Sequence, residues 1–338
     1  MDGHSEYRGS GRPGDAVRFS VEAWAPEYGS SMEAVTGTQS ETQVDASIET
    51  PPSQWAPASP RAGLPAPGTI LFTDGVRRVD ASVWIEDSAG AVRPAICASY
   101  SAGAVRCDGR AEVVAADVRR GLFCSPNHDT AGISTRYAHY PVCTAGGDAP
   151  EQLSLALQLH MGRLEMTVAE SVPADLIVVD GPLTGRLNIP GAVGYVKTHH
   201  VAYLPPDLHT VVGKLEAGQR TPVFVMTSSQ WSKFSWYVRL PGPPGSQWAG
   251  VIRCESNADL EVREVVELAD SVTAILPRFA SAGHKDPRAP QNLYPIAGLE
   301  RQLRRRLGDP ALLYRGLREA AMTLNREGGP EVPEGSTR

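Results

Sequence analysis

Asp175-Leu176-Ile177-Val178-Val179-Asp180-Gly181-Pro182-Leu183 runs four consecutive aliphatic residues into an Asp-Gly-Pro. A short continuous apolar run bounded by turn residues predicts a strand buried on both faces, in the middle of a sheet. Asp180 then stands where that strand leaves the core. Rigid backbone holds it while its carboxylate reaches solvent, as a metal or catalytic site requires. Asp-Gly-Pro is also strong turn chemistry, so a plain strand-ending turn is the alternative reading.

The pattern occurs twice. Gly68-Thr69-Ile70-Leu71-Phe72-Thr73-Asp74-Gly75-Val76 is a second apolar strand running into Asp-Gly. The alternating stretch from Arg77 to Ile85 reads as its antiparallel partner in a hairpin. Two strands that each deliver an Asp to a strand end place two carboxylates side by side. Such a pair needs a cation between its members or a raised pKa. Oxygen ligands favour hard ions, Mg²⁺ or Mn²⁺.

Composition narrows the classes. The chain has 338 residues, 41% of them hydrophobic, enough for one large domain or two small ones with a sizeable core. A formal net charge of -6 argues against a general polyanion-binding surface and leaves room only for a local basic groove. The five cysteines, Cys97, Cys107, Cys124, Cys143 and Cys254, form no CxxC pair. That argues against structural zinc and fits thiols in a reducing cytoplasm. No signal peptide and no apolar run of membrane-spanning length stands out, so the expected location is cytoplasmic, with no membrane partner.

Taken in order, residues 1–67 read as a polar disordered end, a strand over Val17–Trp24 and an extended arm from Ser40 to Pro67 anchored by Trp55. The arm is expected to cross the surface toward another subunit; a floppy linker is the other reading. Residues 68–327 form the main domain. After the Asp74 segment come strands over Pro94–Cys107, with tight packing or a bulge near Gly103, and over Glu112–Val118. Together these make an antiparallel meander. Pro150 opens a helix striped by Leu153, Leu155, Leu157, Leu159, Met161, Leu164 and Val168, carrying Glu165 and, near its end, Glu170. The Asp180 strand follows, then Gly191–His200, a strand ending in Lys197. His199 and His200 are adjacent and point to opposite faces of a strand, which discounts a shared zinc. Strands over Thr221–Met226, Phe234–Leu240 and Trp248–Glu255 flank the Pro/Gly loop 241–246. A C-terminal helical segment is marked first by Leu299, Leu303 and Leu307, with Arg301, Arg304, Arg305 and Arg306 around them. A last helix starts at Pro310, and 328–338 reads as a disordered tail. An α/β order of three strands, helix, strand, with acids on the first strand, the helix and the next strand, resembles the RNase H-like mixed sheet with flanking helices.

Asp74-Gly75, the helical Glu165, Asp180-Gly181-Pro182-Leu183, Gly194-Tyr195-Val196-Lys197 and Tyr294-Pro295 before a helix together resemble the NurA family of DNA-repair nucleases. The resemblance runs from Asp74 to the helix after Pro295. It implies that Asp74, Glu165 (or Glu170) and Asp180 hold Mn²⁺ or Mg²⁺. It further implies a homodimer that encloses DNA and works with a HerA-type hexameric ATPase. Two positions depart from the family pattern. Val76 stands where a Ser usually follows Asp-Gly. The helix Ile296-Ala297-Gly298-Leu299-Glu300-Arg301-Gln302 has no His, for which His284 in the preceding loop is the candidate substitute.

The resulting expectation is metal-assisted phosphodiester hydrolysis, with Asp74, Glu165, Asp180 and Lys197 as the catalytic set. Arg239, Arg253, Arg304, Arg305 and Arg306 are the candidates for DNA contact, although a charged helix face is commonly just solvated. The rival is a non-catalytic DNA-binding or clamp subunit of the same fold. Without a Gly-rich phosphate loop or a Gly-x-Ser-x-Gly elbow, a metal-independent phosphotransferase or hydrolase ranks last.

Overall fold

The computed structural model describes residues 42–86, 90–126, 132–183, 189, 191–199, 202–242 and 247–327. The expected disordered ends, the Val17–Trp24 strand, His200 and most of the Pro/Gly loop lie outside these residues.

The aliphatic run becomes β8 (Leu176–Asp180), buried along its apolar length. It is buried on both faces because it pairs in parallel with a strand on each side. These are β2 (Ile70–Glu86) and β9 (Ala192–Val196). Around them lies a ten-stranded mixed sheet. Beyond β2 come β3 (Val92–Cys107), β4 (Ala111–Cys124) and the short β7 (Val142–Thr144). Beyond β9 come β12 (Val251–Asn257), β11 (Ser232–Arg239), β10 (Phe224–Thr227) and β1 (Gln43–Asp45).

Successive residues of each strand face opposite layers. Leu71, Ile177 and Val179 meet α1 (Pro150–Glu170) through Leu153, Leu157, Met161, Leu164 and Val168. Phe72, Val178, Tyr195 and Trp236 meet α3 (Val262–Ile275) and the start of α4 (Tyr294–Arg306) on the other face. The helix stripe is narrower than expected, since Leu155 and Leu159 are 58% and 52% exposed. β5 (Ile133–Ser134) and β6 (His139–Tyr140) form a separate pair, α2 (Pro206–Gly213) follows β9, and the chain's last described helix is α5 (Pro310–Glu327), which buries Leu313 and Leu317.

The sequence reading of the Asp74 segment as a hairpin is corrected. β2 is one strand of 17 residues, and Asp74 and Gly75 lie in its ladder opposite Gly103 and Ala102 of β3. Gly75 serves a neighbour rather than a turn. A Cβ there would stand 2.2 Å from Glu165 Oε1 and 2.9 Å from Met161 Cγ. Gly103 plays the same part for α4, where a Cβ would stand 2.9 Å from Leu299 Cδ1. The β3–β4 register also shifts next to it, between Ala104 and Val105. Leu299, Leu303 and Leu307 pack on Val76 and Val105. The C-terminal end of α4 is held by Arg78 and Arg120, which donate to Leu307 O at 3.4 and 3.2 Å.

The arm folds back on its own chain. β1 pairs with β10, Trp55 is 8% exposed among Phe224, Met226 and Tyr237, and Ala58 bridges to Arg220. Residues 42–67 thus pack on the sheet of their own chain. All five cysteines are free thiols, and no helix among the described residues is long and apolar enough to cross a membrane.

Candidate metal centre

β8 ends at Asp180, but β2 runs on past it, since β8 covers only Ile70–Thr73 of β2. A notch opens beyond the end of β8, and it is the mouth of a cleft of about 610 Å³. Asp74, Glu165, Asp180, Lys197 and Arg288 all line it.

Three carboxylates converge there. Asp74, Asp180 and Glu300 each offer an oxygen, and these oxygens lie within 4.8 Å of one another. Asp74 is 7% exposed; its Oδ1 accepts from Gly75 N at 2.8 Å, and its buried Oδ2 has no hydrogen-bond donor. Burial holds the Asp74 carboxyl well above the usual carboxylate range, and the Asp180 charge adds to this. Lys197 pulls the other way, while Glu300 and Glu165 push it further up. Clustered acids with a buried, undonated oxygen and, among the described residues, no imidazole or thiolate in the cluster form a donor set suited to a hard divalent cation.

Glu165 enters from the opposite layer. It is 3% exposed on α1 and reaches the cleft past Gly75. Of the two helical acids, Glu165 lines the cleft, whereas Glu170 lies exposed at the end of α1. The triad nevertheless contains Glu300 rather than Glu165. Glu300 comes from α4, whereas His284 is exposed and does not line the cleft.

Lys197 is fixed from two sides. Its Nζ donates to Asp180 Oδ2 at 2.6 Å and to Asn292 Oδ1 at 2.9 Å. The segment after Asp180 is tied down as well. Gly181, with φ 97°, exchanges two backbone hydrogen bonds with Tyr195, of 2.8 and 3.0 Å. Leu183 N donates to the buried Glu255 Oε2 at 2.9 Å.

The other cations divide. Arg253 was expected to face DNA but is enclosed: it is 5% exposed, donates to Glu255 Oε1 at 2.8 Å and lies over the Tyr203 ring. Arg239 is half-buried and ties Ala249 O and Gln247 O within its own hairpin. Both are thus engaged internally, which the alternation of their strands could not reveal. Arg304, Arg305 and Arg306 are exposed in the last turn of α4. His199 is buried, with Nε2 3.1 Å from Val251 O, away from the acid cluster.

The chain matches no family model, and no curated protein matches it.

Proposed function

We propose that this protein is a divalent-metal-dependent phosphodiester hydrolase acting on DNA, built on an RNase H-like core and similar to the NurA nucleases. The observation that carries this reading is the convergence of Asp74, Asp180 and Glu300 around the buried, undonated Asp74 Oδ2. The strand order supports the core: β4-β3-β2-β8-β9, with β3 antiparallel and β2, β8 and β9 parallel.

Asp74, Asp180 and Glu300, with Glu165 beside them, would hold Mn²⁺ or Mg²⁺. The bound cation supplies Lewis acidity and lowers the pKa of a water. Asp74 and Asp180 are set by strand backbone, so they need little reorganisation to take it up. Lys197, steadied by Asn292, would neutralise a phosphate oxygen. Glu165 lies on the cleft wall opposite, where it can orient a water. The homodimer, the HerA-type ATPase partner and the cytoplasmic location belong to the same proposal and rest on the family resemblance.

The test is cleavage of end-labelled single- and double-stranded oligonucleotides by the purified protein with Mn²⁺, with Mg²⁺ and with chelator. Cleavage with either metal, abolished by chelator, is the expected result. Binding without cleavage in either metal would instead support the non-catalytic clamp. The Lys197 ion pair, which already occupies one Asp180 oxygen, favours that second reading.

Arg304, Arg305 and Arg306 extend the DNA-contacting surface. Replacing all three by Gln is expected to weaken oligonucleotide binding and to reduce the slope of log K against log salt by about 2 to 3, as fewer counterions are released. Cations in a last helical turn also stabilise the helix dipole, and an unchanged slope would leave them only that role.

A further inference from the structure

The connection between α3 and α4 buries Asp286, Gln291 and Asn292, although loops usually keep polar groups in water. Its internal bonds converge on one residue. Asp286 Oδ1 accepts from Arg288 N at 2.7 Å, and Asp286 Oδ2 accepts from Asn292 Nδ2 at 2.8 Å. Asn292 N in turn donates to Arg288 O at 2.9 Å. The Arg288 backbone is thereby fixed at both its N–H and its C=O. Its side chain, 19% exposed, lines the acid cleft and donates through Nη2 to Glu300 Oε2.

Arg288 therefore grips one of the three clustered carboxylates from a rigid loop. Among the described residues lining the cleft, Lys197, Arg163 and Arg288 are the cations set against its acids, and of these Arg288 is bonded to a clustered carboxylate from a buried loop.

We propose that Arg288 binds the phosphate of the substrate beside Lys197. With a cation drawing on the charge of Glu300, the planar guanidinium turns its donors to the non-bridging oxygens of the phosphodiester, a match that a lysine makes poorly. Arg288 forms and breaks no covalent bond; it holds the phosphate and offsets the charge that grows on it during displacement. This assignment rests on the phosphodiesterase reading above.

The test compares wild type, Arg288→Gln and Arg288→Lys by Mn²⁺ titration calorimetry, thermal midpoint, and kcat and KM on an oligonucleotide. Removing a cation from beside the acids is expected to tighten Mn²⁺ binding by about three- to tenfold. The same change is expected to lower kcat by about 10²-fold or more, with Lys recovering part of the loss. A merely structural arginine gives the opposite sign in the metal arm, because Glu300 loses its support and Mn²⁺ binding weakens together with kcat. That outcome, or an unchanged kcat, overturns the proposal. If Arg288→Gln does not fold, Arg288→Lys carries the test, with a fall in kcat at undiminished Mn²⁺ affinity expected. A wild type that binds Mn²⁺ but cuts no oligonucleotide locates the failure in the phosphodiesterase reading itself, and the Arg288 assignment falls with it.

Discussion

Asp74→Asn is expected to abolish Mn²⁺ binding and to cut turnover by about 10³-fold, while raising the thermal midpoint of the metal-free protein. Both effects come from one carboxyl. Asp74 is buried, its Oδ2 has no donor, and Asp180 and Glu300 crowd it. Burial first and Asp180 second hold its pKa well above the usual range, against the pull of Lys197. A carboxyl with a raised folded pKa binds its proton more tightly when folded. Its contribution to stability is complete below the unfolded value, about 4, and is lost as pH rises through the folded value. Asn keeps the shape and cannot ionise. Metal-free wild type and Asp74→Asn should therefore have similar midpoints at low pH, with the variant increasingly more stable as pH rises. Saturating Mn²⁺ should raise the wild-type midpoint at neutral pH and leave that of the variant in place. Scanning calorimetry across this range, with chelator and with Mn²⁺, gives the comparison. A difference between the two proteins that stays flat with pH would falsify the assignment of Asp74 as an unpaired acid at a cation site.

What the sequence discloses about this site depends on how each residue is embedded. β8 is legible because burial on both faces leaves only aliphatic residues, and its Asp180 ends the run where the sheet opens. Asp74-Gly75 misleads because the same dipeptide suits a turn and a strand on which a helical acid lies close. Nothing local separates the two uses. Glu300 is hidden among arginines that suggest a solvated face, yet helical spacing contains a signal. Ile296, Glu300, Leu303 and Leu307 recur at intervals of four, three and four, so Glu300 falls within the apolar stripe. Glu165 falls likewise between Met161, Leu164 and Val168, whereas Glu170 lies outside its stripe. An acid inside an apolar stripe is the better guide to a site than an acid beside one. Arg288 carries no such mark, because its place is set by a loop whose course depends on Asn292 bonding both Asp286, six residues away, and Lys197, 95 residues away.

Arg220→Ala is expected to destabilise the protein by about 3–5 kcal/mol, the range for breaking a buried ion pair by removing one partner. Arg220 is 2% exposed and joins three parts of the chain. It forms a two-bonded pair with Glu49 of the arm, at 2.8 and 2.9 Å, and donates to Asp270 Oδ1 of α3 at 2.7 Å. Arg61, farther along the arm, reaches Asp270 Oδ2 at 2.7 Å, but its half-exposed side chain contributes less. Burial pushes the Asp270 carboxyl up, yet bonds from Arg61 and Arg220 outweigh it and hold the pKa below the usual range. That stabilisation is present above the unfolded Asp value and is lost as pH falls through the folded one. Removing Arg220 leaves Asp270 and Glu49 facing each other without the guanidinium between them, so Asp270→Asn in the Arg220→Ala background should recover part of the loss. Urea unfolding at neutral pH, with both single variants and the double, measures the coupling directly. Additive losses, or an Arg220→Ala protein within about 1 kcal/mol of wild type, would show that Trp55 and the β1–β10 pairing hold the arm without the buried charges. The expected coupling makes residues 42–67 part of the folded core, so a chain begun at Leu64 should unfold more easily whether or not it also fails to dimerise.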